Sequence, residues 1–266
     1  MVDRPRLIAI AALLMATSAF AGYPARESWI PVVGHVTGLG GRVFYTTVYL
    51  TDTSRTMNDI TLSFFASAQP NRAPRSTSLQ LGPNQSGAVD VGASLVGDEG
   101  AIGALRIRST GPLIAEARVF SRLANDEVGT VLNAIPSQFA IGTHESTVLH
   151  APAGARYKLY AVETHGFPLY FSVNTSAGER RLYLAAFEQR SWDLQNVGTS
   201  ACITGINGSG KIVVAGTSIA RQNQDFSAYE MSLPTEPRHR LRWAELVAYA
   251  AIAVALSLAA VYRMKK

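Results

Sequence analysis

Arg42-Val-Phe-Tyr-Thr-Thr-Val-Tyr-Leu50 is a run of β-branched and aromatic residues, with Gly41 before it and Asp52 just beyond. Such side chains fit a pleated surface better than a helix, so the stretch predicts a strand. The same signature continues at Ile60 to Ala66, Ser76 to Leu81, Ala104 to Arg108 and Leu113 to Phe120. It returns at Thr147 to His150, Arg156 to Val162, Leu169 to Val173, Arg180 to Ala185, Ala201 to Ile206 and Lys211 to Ile219. Gly, Pro, Asn, Asp or Ser punctuate these runs. Outside the termini no amphipathic pattern has both helical period and helical length, and Val91 to Val96 makes at most a single turn. Many short strands without intervening helices predict a mainly β chain of antiparallel sandwich type rather than βαβ units.

The chain also repeats itself. Gly111-Pro-Leu-Ile-Ala-Glu-Ala-Arg-Val-Phe-Ser-Arg122 lies without a gap over Gly210-Lys-Ile-Val-Val-Ala-Gly-Thr-Ser-Ile-Ala-Arg221, and Asp126 then falls on Asp225. Leu79-Gln-Leu81 with Asp90 lies over Leu182-Tyr-Leu184 with Asp193, and Gly41-Arg-Val-Phe44 lies over Gly154-Ala-Arg-Tyr157. Three matches in the same order, each placing strand on strand, predict tandem β-sandwich modules over 22–140 and 141–232.

The two ends carry a different signal. Arg4 and Arg6 precede the apolar run Leu7 to Met15, and Ala19-Phe20-Ala21 supplies small residues for cleavage, so residues 1–21 read as a secretory signal peptide. Leu246 to Tyr262 is apolar except for Ser257. As a helix it would rise roughly 25 Å, and with Ala244 and Glu245 it approaches the ~30 Å of a bilayer core. A transmembrane helix is therefore expected over 244–262. Trp243 and Tyr262 stand at its two edges, Arg238, Arg240 and Arg242 precede it, and Arg263, Lys265 and Lys266 close a cytoplasmic tail over 263–266. Leu233-Pro-Thr-Glu-Pro237 opens a stiff connector over 233–243. The expected topology is a single pass of a bacterial inner membrane, with the body in the periplasm or outside the cell. A short motif, apolar span and basic tail also define surface sorting signals, but Glu236 and Pro237 stand where a sortase signal has Thr and Gly.

Charge has to be located before it is read. The formal charge of the chain is +5, yet between Tyr23 and Pro237 there are 16 Lys and Arg against 17 Asp and Glu, a net of −1. The basic excess belongs to the membrane-flanking ends, and the body has no clustered basic footprint for nucleic acid. Cys202 is the sole cysteine, so no intramolecular disulfide forms in an oxidising compartment.

Ile30-Pro-Val-Val33, Gly41-Arg-Val-Phe-Tyr-Thr-Thr-Val-Tyr-Leu-Thr-Asp52, Gly103-Ala-Leu-Arg-Ile107 and Gly111-Pro-Leu-Ile114 resemble uncharacterised exported bacterial proteins built from paired immunoglobulin-like or fibronectin-like modules. Gly208-Ser-Gly-Lys-Ile-Val-Val214 and Gln222-Asn-Gln-Asp225 resemble the second module of such pairs. The likeness covers most of residues 29–231. It implies a surface or periplasmic β-sandwich protein and supplies no catalytic residues. Thr51 departs from the pattern, which has Asn there.

Several stretches imitate chemistry. Gly205-Ile-Asn-Gly-Ser-Gly-Lys211 has phosphate-loop spacing, but Ile212 replaces the magnesium-holding hydroxyl and a strand follows where a helix is required, so a hairpin turn is expected. His144-Glu145 lacks the second His four positions on, where Val148 stands. His35, His150, His165 and His239 are scattered, and no nucleophile elbow or Ser-Lys pair is present. The sequence therefore predicts no catalytic, cofactor-binding or metal site. Its polar candidates for interaction are Arg122 with Asp126 and Arg221 with Asp225, whose repetition predicts a bridge closing the same loop in each module. Tyr157, Tyr160, Phe167, Tyr170 and Phe171 are expected mainly in the core on alternate positions.

These readings predict a non-enzymatic protein of binding, adhesion or envelope assembly. Its partners would be membrane lipid and another envelope protein or glycan, with no nucleic acid and no evident small-molecule substrate. A second reading is an accessory subunit of a membrane complex, whose Ala250, Ala251, Ala253, Ala255, Ala259 and Ala260 allow close helix approach.

Overall fold

The computed structural model describes residues 22–38, 41–97, 100–123, 126–152, 156–219 and 226–232. The strands in chain order are β1 (Ala25–Thr37), β2 (Val43–Asp52), β3 (Asn58–Ala66), β4 (Arg75–Leu81), β5 (Ser86–Asp90), β6 (Ala101–Leu123), β7 (Asp126–Asn133) and β8 (Ile135–Pro136). They continue as β9 (Ser146–His150), β10 (Arg156–Glu163), β11 (Leu169–Thr175), β12 (Gly178–Leu184), β13 (Gln189–Leu194), β14 (Ser200–Gly208), β15 (Ile212–Ile219) and β16 (Phe226–Glu230). The fold is mainly β and its ladders are antiparallel. Among the described residues, helical geometry is confined to short turns such as Gly92–Val96 and Ser137–Phe139.

The first half is organised by β6. Along it Leu105, Ile107, Leu113, Ala115 and Ala117 are buried while Arg106, Arg108, Glu116 and Arg118 are not, the period of two that a half-buried strand requires. Residues 101–109 lie between β3 and β1, and residues 113–123 lie against β2 and β7. One continuous strand thus serves two four-strand sets, in the orders β4-β3-β6-β1 and β5-β2-β6-β7. The sequence predicts a break here, between strands at Ala104 to Arg108 and Leu113 to Phe120. Gly111 and Pro112 change the partners of the strand rather than its direction. The Asn58 side chain fills the gap, its Oδ1 accepting from the Gly111 amide at 2.8 Å and its Nδ2 donating to the Gly111 carbonyl at 3.3 Å.

The second half repeats this order with separate strands, as the sheets β12-β11-β14-β9 and β13-β10-β15-β16. β14 and β15 take the two parts played by β6. Here the expected hairpin is overturned: β14 and β15 belong to different sheets and do not pair, because β14 is flanked by β11 and β9 and β15 by β10 and β16. Leu149, Tyr157, Leu159, Phe171, Val173, Leu184 and Ile203 are buried, and Phe171 of one sheet meets Trp192 of the other edge-to-face at 5.7 Å.

Buried contacts join the halves. Tyr160, Ala215 and Ala228 pack into the core built by Ile30, Leu50, Leu62, Leu105 and Ile107. Burial pushes the Tyr160 phenol up to about 12, against a hydrogen bond with Thr217 that lowers it. Glu230 accepts from the backbone and side-chain nitrogens of Asn133. Burial raises its carboxyl above the ordinary range, more than those bonds lower it. The Asn71 Nδ2 reaches the Phe187 carbonyl at 3.0 Å, and the Gln189 Nε2 reaches that of Pro31 at 3.2 Å. The Arg106 guanidinium lies over Phe65, Trp29 and Phe187 at 5.2, 5.7 and 6.0 Å. These residues all belong to one compact unit that ends at Ser232.

Among the described residues no helix is long and apolar enough to cross a membrane. The expected leader at 1–21, the span at 244–262 and its flanking residues Arg238 to Lys266 lie outside the described residues.

Candidate functional site

Two buried carboxylates stand at matching points of the two halves. Asp52 ends β2 and Glu163 ends β10, and each collects donors from the surrounding loops. Asp52 accepts from the Ser54 amide at 3.1 Å, the Ser54 hydroxyl at 2.9 Å, the Asn84 amide at 3.2 Å and the Asn58 Nδ2 at 2.6 Å. Glu163 accepts from the amides of His165, Gly166, Phe187 and Lys211 at 2.7, 2.8, 2.8 and 3.2 Å. Burial raises the Asp52 carboxyl, but hydrogen bonds from Asn58, Ser54 and Asn84 outweigh it and hold the group below its ordinary range.

The correspondence extends through the loops. Thr53 donates from backbone and hydroxyl to the Pro112 carbonyl, as Thr164 does to that of Lys211. The Gln85 side chain accepts from the Gly82 amide at 2.8 Å, as the Glu188 carboxylate does from Ala185 at 2.8 Å. Asn84 and Phe187 both adopt positive φ, 56° and 54°, at the same step of the turn. These hydrogen bonds tie both carboxylates to the neighbouring chain, Glu163 through backbone amides and Asp52 through amides, the Ser54 hydroxyl and the Asn58 side chain.

The chemistry open to a partner lies on the sheet faces. Arg122, singled out by the sequence, lies on the β6–β7 hairpin opposite Glu127, and its Nε donates to the Glu127 carboxylate at 3.3 Å. The predicted partner Asp126 faces Leu123 in the register, one step nearer the turn, and only its backbone is described. Arg221 and Asp225 lie outside the described residues. Glu127 also holds Arg118 at 3.1 Å. The Arg122 guanidinium is spread over Tyr45 and Phe120 at 5.2 and 5.7 Å, and His35, Tyr45 and Phe120 form a continuous stack with centroids 4.9 and 5.7 Å apart. Arg122 keeps 65% of its side chain exposed, so the array presents a rigid, aromatic-backed cation.

The second half contributes a different surface. Tyr157, Tyr160 and Phe171 are buried as expected of core aromatics, but Phe167 and Tyr170 are not. Tyr170 lies opposite Tyr183 across the β11–β12 ladder, with ring centroids 4.8 Å apart. Tyr183 is not among the sequence candidates; its alternation with buried Leu182 and Leu184 is the signal that places it outside. The His144-Glu145 segment is a loop whose Glu145 accepts from the Gly142 amide, and the phosphate-loop imitation runs from β14 into β15. Among the described residues no group of three His, Cys, Asp or Glu side chains is placed to hold a metal ion.

No family model and no curated protein matches the chain. It is similar to a solved structure described as "Crystal Structure of Thermotoga maritima 1070", with 14% identity over 42% of this chain and 95% of that one, and a TM-score of 0.36.

Proposed function

We propose that the chain is a membrane-anchored extracytoplasmic protein of two tandem β-sandwich modules, acting without catalysis in recognition or assembly at a bacterial envelope. The observation that carries this reading is the division of its polar groups. The buried carboxylates Asp52 and Glu163 are taken up by donors from neighbouring segments of their own chain, whereas the Arg122 array and the Tyr170–Tyr183 pair stand on open sheet faces. That is the distribution of a rigid recognition scaffold. The matched strand orders and matched loop hydrogen bonds support descent of the two modules from one duplicated unit. The apolar run at 246–262 supplies the anchor and residues 1–21 the export signal, by sequence.

The test is crosslinking in intact cells. A membrane-impermeant amine- and carboxylate-directed reagent should join the body to another envelope component, giving a species heavier than the monomer that survives denaturing detergent. Recovery of the monomer alone at saturating reagent would contradict a recognition or assembly role.

A further inference from the structure

We infer that the outer face of the sheet β12-β11-β14-β9 is a binding site for an uncharged glycan, with Tyr170 and Tyr183 as its stacking platform. The inference rests on the envelope-recognition reading and names the ligand class and the site. Cross-strand register places three rows on this face. Tyr183, Tyr170 and Asn207 form the first, Arg181, Ser172, Thr204 and Ser146 the second, and Glu179, Asn174, Cys202 and Val148 the third. Tyr170 is 52% exposed and Tyr183 39%, although the residues next to them in sequence, Leu169, Phe171, Leu182 and Leu184, are buried.

The other half of the molecule provides an internal comparison. At the matching positions of β3 and β4, the pair opposite one another is Asp59 and Gln80, closed by a hydrogen bond of 2.6 Å. The next two rows there are Thr61 with Ser78 and Ser63 with Ser76, again joined hydroxyl to hydroxyl at 3.3 and 2.9 Å. That face satisfies itself. In the second half the same three rows carry Tyr170 with Tyr183, Ser172 with Arg181 and Asn174 with Glu179. Two exposed rings thus replace a self-paired polar couple. Exposing aromatic surface to water is unfavourable unless something covers it, so the substitution points to an occupant.

The composition of the face selects that occupant. Arg181 and Glu179 lie 3.6 Å apart and compensate one another, which removes the net charge that would recruit a phosphate or an acidic peptide. The second row, Arg181, Ser172, Thr204 and Ser146, is polar throughout and offers no apolar anchor beside the rings. An uncharged sugar ring matches what is present. Its C–H face packs on a tyrosine ring, while its hydroxyls meet the Asn207 and Asn174 amides and the Thr204–Ser146 hydroxyl pair, itself joined at 2.8 Å.

The experiment is co-sedimentation of the detergent-solubilised full chain with insoluble envelope polysaccharide, freed of protein by boiling in detergent and protease digestion. The wild type should pellet with the polysaccharide. The Tyr170→Ala/Tyr183→Ala variant should bind about tenfold more weakly or worse, since two lost ring contacts exceed the 1.4 kcal/mol of one decade. Thr61→Ala/Ser78→Ala, on the matching face of the first half, should bind as the wild type does. Unchanged far-ultraviolet circular dichroism and thermal midpoint establish that the tyrosine variant is folded. Equal binding by the folded tyrosine variant would overturn the site. A wild type that ignores the polysaccharide but crosslinks to an envelope protein in cells would overturn the glycan and leave the recognition reading standing. Failure of both measurements would remove both.

Discussion

Replacing Glu163 with Gln should lower the free energy of unfolding by about 3 kcal/mol or more, measured by urea denaturation at neutral pH. Glu163 is fully buried, and its two oxygens accept from four backbone amides drawn from three separate loop segments. Glutamine keeps the shape but offers one acceptor oxygen, and its NH2 group would point donors at donors. At least two amides would be left buried and unsatisfied, and an unmade buried hydrogen bond costs more than a made one contributes. Asp52→Asn should destabilise in the same direction. Because the native Asp52 carboxyl lies below its ordinary range, its contribution is present above that range and is lost as pH falls through the native value. The Asn variant should therefore show a flatter acid limb than the wild type. Equal acid sensitivity of both proteins would assign the acid transition to other groups.

Gly216→Ala should be as damaging, by about 3 kcal/mol, through overpacking rather than through a lost bond. A Cβ at this position would lie 1.7 Å from the Tyr157 Oη and 2.2 Å from its Cζ. The ring has nowhere to go: Tyr157 is 1% exposed and its hydroxyl donates to the His150 carbonyl at 3.1 Å. Either the ring loses that bond and leaves the core, or β15 is pushed from β10. Gly142→Ala is the control, because its nearest neighbours would stand at 3.5 Å and ordinary contact results. Comparable stability of the two variants would show that glycine at 216 is not required by packing.

Strand-rich architecture was legible in the sequence where residues alternate cleanly, as in β2 and in the Leu113 to Phe120 part of β6. β1 was not, because Pro31 interrupts it. The structure absorbs that proline at a register shift between Ile30 and Val33, where a ladder amide is dispensable. β5, β7 and β13 carry too few apolar residues to announce themselves and β16 spans only five residues, so their strand character comes from pairing with neighbours. The sequence match of Leu79–Leu81 with Leu182–Leu184 falls at the ends of β4 and β12, each an edge strand. The carboxylate pair was not legible, since Asp52 and Glu163 differ in type and neither lies in a matched segment. Of the interaction candidates, Arg122 reached a solvent-facing array, but its partner was decided by strand register, which places Glu127 opposite it. Exposure of Tyr170 and Tyr183 depended on which face of the sheet is covered, and a strand pattern does not say which.

Protease treatment of spheroplasts tests the central claim, an anchored body outside the cytoplasm, most directly. With an epitope placed after Lys266, the account predicts that protease digests the body and leaves a small tagged fragment in the carbonate-washed membrane pellet. The tagged fragment must be absent from the soluble fraction. A body that resists protease in spheroplasts and is digested only after detergent lysis would contradict the account.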